Sequence, residues 1–198
     1  MAEARLSALD ASFLDIEVPT AHMHVGWVAT FSPPDGGEPP SFEDVRDHIA
    51  GRLGKAPRYR QKLAAVPFDV HGPVWVDDDA FDPARHVLHA RSDKLDDVAE
   101  QVMSRPLARD RPLWEIWIAE RLDDGRIGMV GKVHHCMVDG LAAVELASML
   151  LDPSPEPPEA EPDRWKPAPE PGPVERLGGG IGDRLRETAA LARLPLRA

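Results

Sequence analysis

The stretch that decides the fold is WEIWIAERLDDGRIGMVGKVHHCMVDG, which runs from Trp114 to Gly140. Within it, two apolar runs flank Asp123-Asp124-Gly125, an acidic turn that ends in glycine. A turn of this kind between apolar runs is a strong signal for a β-hairpin. The second run continues into His134 and His135. The sequence therefore predicts two adjacent histidines at the end of a hairpin strand.

Outward from this hairpin, the first 151 residues alternate between helical and strand-like patterns. Predicted helices follow Ser7, Ser41 and Ser92, predicted strands cover residues 22–31, 73–76 and 86–89, and a last apolar run predicts a helix over residues 141–151. Helices mixed with strands, of which at least two are antiparallel, predict an α/β (α+β layered) domain with a mixed sheet and flanking helices.

Composition narrows the class of protein. The chain has 198 residues, enough for one sizeable core, and one domain is the default. The net charge of −11 argues against a nucleic-acid-binding protein, which would present a basic face to phosphates. Cys136 is the single cysteine, so an internal disulfide framework is excluded. Because the first residues lack the apolar core of a signal peptide and no apolar run is long enough to span a membrane, we expect a cytosolic protein.

The domain organisation follows from a change in composition after residue 151. Residues 152–174 contain nine prolines and six carboxylates, which predicts a semi-rigid extended linker. Residues 175–198 hold Gly178-Gly179-Gly180 and a candidate helical stretch, Arg184 to Leu194. A spacer normally joins two folded units, so the sequence is expected to be the first half of a larger protein or one product of its cleavage. Residues 1–151 are then its first domain, and residues 175–198 are the start of a linker helix or of a second domain. The alternative is a proline-rich tail on a complete protein.

The histidine pair carries the candidate chemistry. Neighbouring side chains on a strand point to opposite faces, so the two imidazoles should not share one pocket. An imidazole with an unperturbed pKa near 6.5 is largely neutral in the cytosol and can accept a hydroxyl proton. Opposite-facing neighbours cannot easily chelate one ion, so no metal site is expected. Cys136 could act as a nucleophile beside a histidine, but a buried inert thiol is the favoured interpretation.

The motif and its surroundings resemble those of a known family. His134-His135-x-x-x-Asp139-Gly140 matches the HHxxxDG motif of the CoA-dependent acyltransferase superfamily. The flanking sequence is similar to that of bacterial wax ester synthase/acyl-CoA:diacylglycerol acyltransferases, in their N-terminal half. The further segments that carry this resemblance are Leu6-Ser7-Ala8-Leu9-Asp10, Met23-His24-Val25-Gly26, Pro57-Arg58-Tyr59-Arg60-Gln61-Lys62-Leu63 and Pro112-Leu113-Trp114-Glu115. The resemblance implies a fold like half of chloramphenicol acetyltransferase.

The resemblance also implies roles for individual residues. The second histidine of the motif, His135, is the expected general base, and His134 supports it. Asp139 is expected to be structural, Gly140 to allow a close backbone approach, and Arg60 to pair with Asp139. Residues Pro112, Leu113 and Trp114 are candidates for lining the acyl channel, with a core role as the alternative, and Lys55, Arg58 and Lys62 could meet CoA phosphates or form a solvated face.

The function implied is O-acyl transfer from acyl-CoA, a co-substrate, to diacylglycerol or a fatty alcohol, with no bound cofactor. Family members are about twice this length, so the C-terminal half of the same enzyme is the expected partner, covalent or separate. Arginines interleaved with leucines in the tail leave open a peripheral contact with a membrane or lipid inclusion. Two alternatives remain: a self-contained homotrimer resembling chloramphenicol acetyltransferase, and a non-catalytic lipid-binding or carrier-binding relative.

Overall fold

A computed structural model of the protein describes residues 4–33, 37–138, 151 and 163–191. Its helices are α1 (Ala8–Asp15), α2 (Phe42–Arg52), α3 (Leu95–Met103) and α4 (Pro173–Leu191). Its strands are β1 (Ala4–Arg5), β2 (His24–Phe31), β3 (Gln61–Ala64), β4 (Val74–Asp77), β5 (Val87–His89), β6 (Trp114–Ala119) and β7 (Ile127–His134). Short 3-10 turns connect several of them. The helix predicted over residues 141–151 lies outside the described residues except at its last position.

The strands form two sheets. One is mixed, in the order β2-β7-β6-β5, with β5 parallel to β6 and the other pairs antiparallel. The other is antiparallel, in the order β1-β4-β3. Strand β7 lies inside the mixed sheet and is buried along all eight residues. The predicted α/β class, with a mixed sheet and flanking helices, is confirmed.

The β6–β7 hairpin is the predicted one. The Gly125 N–H donates to the Leu122 carbonyl over 2.9 Å, and the Leu122 N–H donates to the Arg126 carbonyl over 2.7 Å. Gly125 has a φ of +83°, a left-handed conformation that glycine adopts without a steric penalty. The glycine of the acidic turn is therefore required by the backbone.

Two of the predicted helix starts are capped as the sequence indicates. Ser7 accepts from the Asp10 N–H at the start of α1, and Ser41 forms a reciprocal capping box with Asp44 at the start of α2. Helix α3 begins after Lys94 without a side-chain cap. These helices therefore start within a few residues of the serines that predicted them.

The core divides between the two faces of the mixed sheet. On one face, Val130 of β7 packs in a cluster with Val98 and Val102 of α3. On the other, Met129 and Val133 join a larger cluster that also includes residues of β4, β6 and α2. Residues of β7 thus alternate between two apolar layers, as the period of a strand requires. The histidine motif thus begins at the end of a strand that packs against apolar side chains on both of its faces.

Part of the segment predicted to be a semi-rigid linker packs against the domain. Residues 152–162 lie outside the described part, but the residues after them contact the body of the domain. The Ala168 N–H donates to Asp77 over 3.0 Å, and the Trp165 ring meets the Phe81 ring edge to face at 6.5 Å. Aromatic and hydrogen-bonding groups in this segment therefore hold part of it against the domain.

Helix α4 begins at Pro173, earlier than the expected helical stretch, and runs through the three glycines. Proline suits the first turn of a helix because its fixed φ is helical and its missing N–H is not needed there. A Cβ added at Gly180 would lie 2.9 Å from the Val66 side chain. This glycine permits the helix to approach the domain, which composition alone does not reveal. Within the described residues no helix is both long and apolar enough to cross a membrane.

Candidate active site

His134 is the last residue of β7 and is fully buried. It lies opposite His24 of β2 in the antiparallel register, and the two rings meet edge to face at 6.1 Å. Its N–H donates to the Leu113 carbonyl over 2.9 Å. His134 is therefore fixed on one side by its pairing with β2 and on the other by its hydrogen bond to Leu113, just before β6.

The extended backbone does not persist beyond His134. A 3-10 turn covers His135–Met137, so His135 does not continue the strand face of Val133. The two histidines nevertheless have different neighbours, as predicted, but the reason is the turn and not strand alternation. Backbone conformation after a strand is set by local hydrogen bonds, which the apolar pattern does not encode.

His135 lies against α1. Its ring stacks on the Phe13 ring, with centroids 3.8 Å apart and planes inclined by 16°. Its backbone N–H donates to the Met23 carbonyl over 2.8 Å. The ring nitrogen Nδ1 is buried and has no hydrogen-bond partner among the described residues. The imidazole is thus held by a contact to its flat face, and no side chain in the described part of the chain forms a hydrogen bond with its nitrogens.

His134, in contrast, has polar groups near both ring nitrogens. Nδ1 accepts the Cys136 N–H over 3.1 Å, while Nε2 lies 3.8 Å from Glu17 Oε1 and 3.4 Å from Arg109 Nη2. Burial, followed by the charge of Arg109, lowers the pKa of His134 to about 3. The ring therefore stays neutral near neutral pH and fits a supporting role better than proton transfer.

Three residues near His134 were not predicted to belong to the site: Glu17, His24 and Arg109. Glu17 forms an ion pair with Arg109, and its Oε1 lies 3.9 Å from His24 Nε2. Burial, with a smaller effect of Lys132, lowers the pKa of His24 to about 4. A signal for His24 was available, because it lies within one of the family-like segments. Glu17 and Arg109 carry no such signal.

Cys136 is buried next to the histidines. Burial raises the pKa of its thiol to about 12, so the thiolate is negligibly populated at neutral pH. This argues against a nucleophilic cysteine. Among the described residues, no three His, Cys, Asp or Glu side chains come together in a group that could hold a metal ion.

The predicted partner of Asp139 has another partner in the structure. The Arg60 guanidinium pairs with Asp163, with 3.1 Å between Nη1 and Oδ1, and lies over the Trp165 ring at 4.9 Å. Asp139 and Gly140 lie outside the described residues. The pairing of Arg60 with Asp139 therefore stays a prediction, and Arg60 fixes the tail segment.

The residues proposed for the acyl channel lie at the start of β6. Leu113 and Trp114 are completely or almost completely buried. The Trp114 indole N–H donates to the Tyr59 carbonyl over 2.8 Å, and the indole stacks on His86 at 4.6 Å. Within this chain these are core side chains, and their contact with an acyl chain stays a prediction, as does that of Pro112.

Two of the three basic residues considered for CoA phosphates already have partners within the chain. Lys62 Nζ lies 3.1 Å from Asp78 and 3.8 Å from Asp79, and Arg58 lies over the Trp75 ring at 4.5 Å. Lys55 is exposed. Of the three, Arg58 lies close enough to the motif for its charge to act on the Cys136 thiol, although burial outweighs this effect.

Comparison with known proteins gives consistent matches. The family model described as "Wax ester synthase/diacylglycerol acyltransferase catalytic domain" matches residues 6–194. The probable diacylglycerol O-acyltransferase tgs3 of Mycobacterium tuberculosis is 34% identical over 187 residues, which cover 91% of this chain and 68% of the relative. Tgs1 of the same organism is 38% identical over 157 residues, which cover 75% of this chain and 33% of the relative.

Solved structures agree. The wax ester synthase/diacylglycerol acyltransferase of Marinobacter aquaeolei VT8 superimposes with a TM-score of 0.61 at 26% identity, covering 96% of this chain and 46% of that one. The tallysomycin biosynthesis protein TlmII superimposes with a TM-score of 0.55 at 16% identity, over 74% of this chain and 37% of that one, which supports the fold alone. Apart from tgs3, the chain spans half or less of these proteins.

Proposed function

Because the chain belongs to the wax ester synthase/diacylglycerol acyltransferase family, we propose that it carries the base of an O-acyltransferase. The reaction moves a long-chain acyl group from acyl-CoA to the hydroxyl of a diacylglycerol or a fatty alcohol. The observation that supports this best is His135, whose ring is stacked on Phe13 while its Nδ1 has no partner among the described residues. A general base needs this combination of a fixed orientation and a nitrogen that no other donor occupies.

In the proposed mechanism, neutral His135 takes the proton from the acceptor hydroxyl as its oxygen attacks the thioester carbonyl. The tetrahedral intermediate collapses with cleavage of the carbon–sulfur bond, and the proton returns from His135 to the leaving CoA sulfur. The ester and free CoA are the products, and no acyl-enzyme forms. Base catalysis of this kind contributes about 10²–10⁴-fold, so positioning and oxyanion stabilisation supply the rest.

The other motif residues have supporting roles. Neutral, buried His134 holds the turn that carries His135 through the Cys136 N–H. We assign Asp139 to a structural ion pair, with Arg60 as its partner, and Gly140 to a close backbone approach. The high pKa of the Cys136 thiol leaves direct attack by the acceptor oxygen as the simpler route.

We further propose that a second polypeptide segment completes the site. The chain matches 46% of the Marinobacter enzyme and 33% of tgs1, so those proteins contain a long segment that has no counterpart here. Contacts for CoA and for the oxyanion are expected from that C-terminal half. Since the acceptor lipids dissolve in membranes and lipid inclusions, the complete assembly must meet such a surface.

The test is release of free thiol from palmitoyl-CoA in the presence of hexadecanol or diolein. The chain is assayed alone and together with a C-terminal half, either a co-purifying polypeptide or the second half of the Marinobacter enzyme. We expect turnover only in the combined sample, and loss of turnover in His135→Ala. The matched control is His89→Ala, because the His89 side chain is half-exposed and pairs with Glu120.

Each outcome has a distinct meaning. Turnover by the chain alone, in a sample whose solution mass is that of a trimer, would replace the two-half proposal with the homotrimer alternative. Turnover that survives His135→Ala would refute the assignment of the base. If no combination releases thiol, the non-catalytic binding alternative gains the support that the acyltransferase proposal loses.

A further inference from the structure

A polar cluster lies behind the histidine turn, with two buried imidazoles and an ion pair that reaches the surface. It consists of the Glu17 carboxylate, the imidazoles of His24 and His134, and the Arg109 guanidinium. Glu17 lies between the two rings, with Oε1 3.9 Å from His24 Nε2 and 3.8 Å from His134 Nε2, and it pairs with Arg109. The side chains of His24 and His134 are 1% and 0% exposed, so their interactions are poorly screened by solvent.

A donor faces each ring nitrogen of His134, and a neutral imidazole can accept at only one of them. The shorter contact, 3.1 Å from the Cys136 N–H to Nδ1, favours the lone pair on Nδ1. A neutral imidazole then holds its proton on Nε2, which faces the Glu17 carboxylate. Arg109 Nη2 lies 3.4 Å from the same nitrogen and can donate to it only in the other tautomer, with the proton on Nδ1. The carboxylate favours the proton on Nε2, and the guanidinium disfavours it.

The segment that contains Glu17 also contacts the neighbouring histidine. Phe13, four residues earlier in α1, stacks on His135, while Glu17 follows the end of that helix and approaches His134. One short segment thus contacts both imidazoles. The Cys136 N–H bond to His134 lies within the turn formed by His135–Met137, so the tautomer of His134 is coupled to the backbone that carries His135.

We propose that Glu17 is a positioning residue that keeps the His134 proton on Nε2, so that Nδ1 accepts the Cys136 N–H and holds the turn carrying His135. Arg109 neutralises the partly buried carboxylate, and Glu17, by pairing with the guanidinium, weakens its competition for Nε2. Without the carboxylate, Arg109 becomes a free donor beside Nε2. The proton then moves to Nδ1, and the bond from the Cys136 N–H is lost. This assignment rests on the proposed function only in what it implies for catalysis.

The tautomer can be measured directly on the 198-residue chain. Long-range ¹H–¹⁵N spectra distinguish protonated from unprotonated imidazole nitrogens, and the His134→Asn spectrum identifies the His134 signals. We expect the Nε2–H form in the wild type and a shift towards Nδ1–H in Glu17→Gln. The double variant Glu17→Gln/Arg109→Met, which also removes the competing donor, should regain the Nε2–H form. A control, Glu170→Gln, removes a carboxylate from an exposed pair with Arg176 and should change nothing.

In the complete assembly, Glu17→Gln should lower kcat roughly tenfold to hundredfold with KM within about twofold, because a misplaced base costs rate more than binding. The double variant should recover most of this loss. If Glu17→Gln does not fold, the Arg109→Met variant tests the proposal instead. In that variant the His134 proton is expected to stay on Nε2. A move of the proton to Nδ1 would overturn the proposal.

The two proposals fail in different ways. An unchanged His134 tautomer in folded Glu17→Gln overturns the role of Glu17, whatever the enzyme catalyses. A changed tautomer in a chain whose assemblies never release thiol overturns the acyltransferase mechanism and leaves the role of Glu17 in place. Equal losses of kcat in the single and double variants would also count against the positioning role, because Arg109 would then not be the competitor.

Discussion

The imidazole of His135 and the phenyl ring of Phe13 stack with their planes inclined by only 16° and their centroids 3.8 Å apart. The stack joins the first helix of the domain to the turn after its central strand. A face-on contact restricts the plane of the imidazole but leaves its edge available. Phe13 is therefore expected to determine the direction in which the proposed base presents its nitrogens.

Replacing this ring should separate orientation from packing. Phe13→Leu keeps an apolar side chain but removes the flat partner, so we expect kcat of the complete assembly to fall roughly tenfold. Phe42→Leu is a matched control, because Phe42 stacks on His89 at 5.0 Å, away from the motif. Thiol release per folded molecule measures both. Equal rates for the two variants would mean that the Phe13 stack does not orient His135.

Acid should destabilise the domain through its buried histidines. The folded-state pKa of His24 is about 4 and that of His134 about 3, both below the ordinary value of 6.5. The unfolded chain therefore binds more protons below about pH 6.5, and stability is lost as the pH falls towards the folded values. The expected loss is about 1.4 kcal/mol per pH unit for each histidine.

Urea unfolding between about pH 5 and pH 7 measures this loss. His24→Gln cannot be protonated, so the slope of the free energy of unfolding against pH should decrease by the share of one histidine. His89→Gln, at a half-exposed position, should leave the slope as in the wild type. A His24→Gln slope that matches the wild type would show that His24 is not kept neutral by the fold.

Lys132 stabilises the domain from within the central strand. Its side chain is 1% exposed, and Nζ donates to the carbonyls of Val102 and Arg105 over 2.8 and 2.7 Å, at the end of α3. Glu115 lies 3.6 Å away as its counter-ion. Lys132→Met would leave the Val102 and Arg105 carbonyls without this donor and would remove the counter-ion of Glu115, which keeps the Trp117 indole N–H. We expect a loss of about 2–4 kcal/mol in the free energy of unfolding.

Chemical denaturation at neutral pH tests this loss. The control, Lys55→Met, changes an exposed lysine and should stay within about 0.5 kcal/mol of the wild type. If both lysines could be replaced at the same small cost, Lys132 would not hold the end of α3 against β7.

Two glycines should respond to alanine in opposite directions. A Cβ at Gly131 of β7 would overlap the indole of Trp27 on the neighbouring strand, so Gly131→Ala should cost about 1–3 kcal/mol. Gly51 lies in α2 with open space around it, and Gly51→Ala should stabilise the domain by about 0.5–1 kcal/mol. Thermal unfolding of both variants measures these opposite changes in stability. A destabilising Gly51→Ala would contradict the assigned helix geometry.

Local patterns were sufficient to predict much of this fold. The hairpin and the starts of α1 and α2 depend on residues close together in sequence, and the structure contains each of them. The assignment of His135 to a strand face failed because the chain turns at that residue, where Met23 and Cys136 provide the hydrogen bonds. The apolar period contains no information about such bonds.

The polar cluster behind the motif could not be predicted in the same way. Glu17 and Arg109 are far apart in the chain, and each is an ordinary charged residue in its local context. The position of α1 brings Glu17 to His134, and the pairing of β6 with β7 brings the segment that contains Arg109. The early start of α4 was missed for a related reason, since three glycines disfavour a helix locally while Gly180 fits against Val66.

The complete burial of β7 also determines how the proposed base can move. All eight of its residues pair with β2, six of them also pair with β6, and all eight are buried. Amides in such a strand exchange with solvent only when the whole domain unfolds. The histidine turn is attached directly to this slowest-exchanging segment and not to a loop that opens by itself. Substrates must therefore come to a base whose place is fixed by the global stability of the fold.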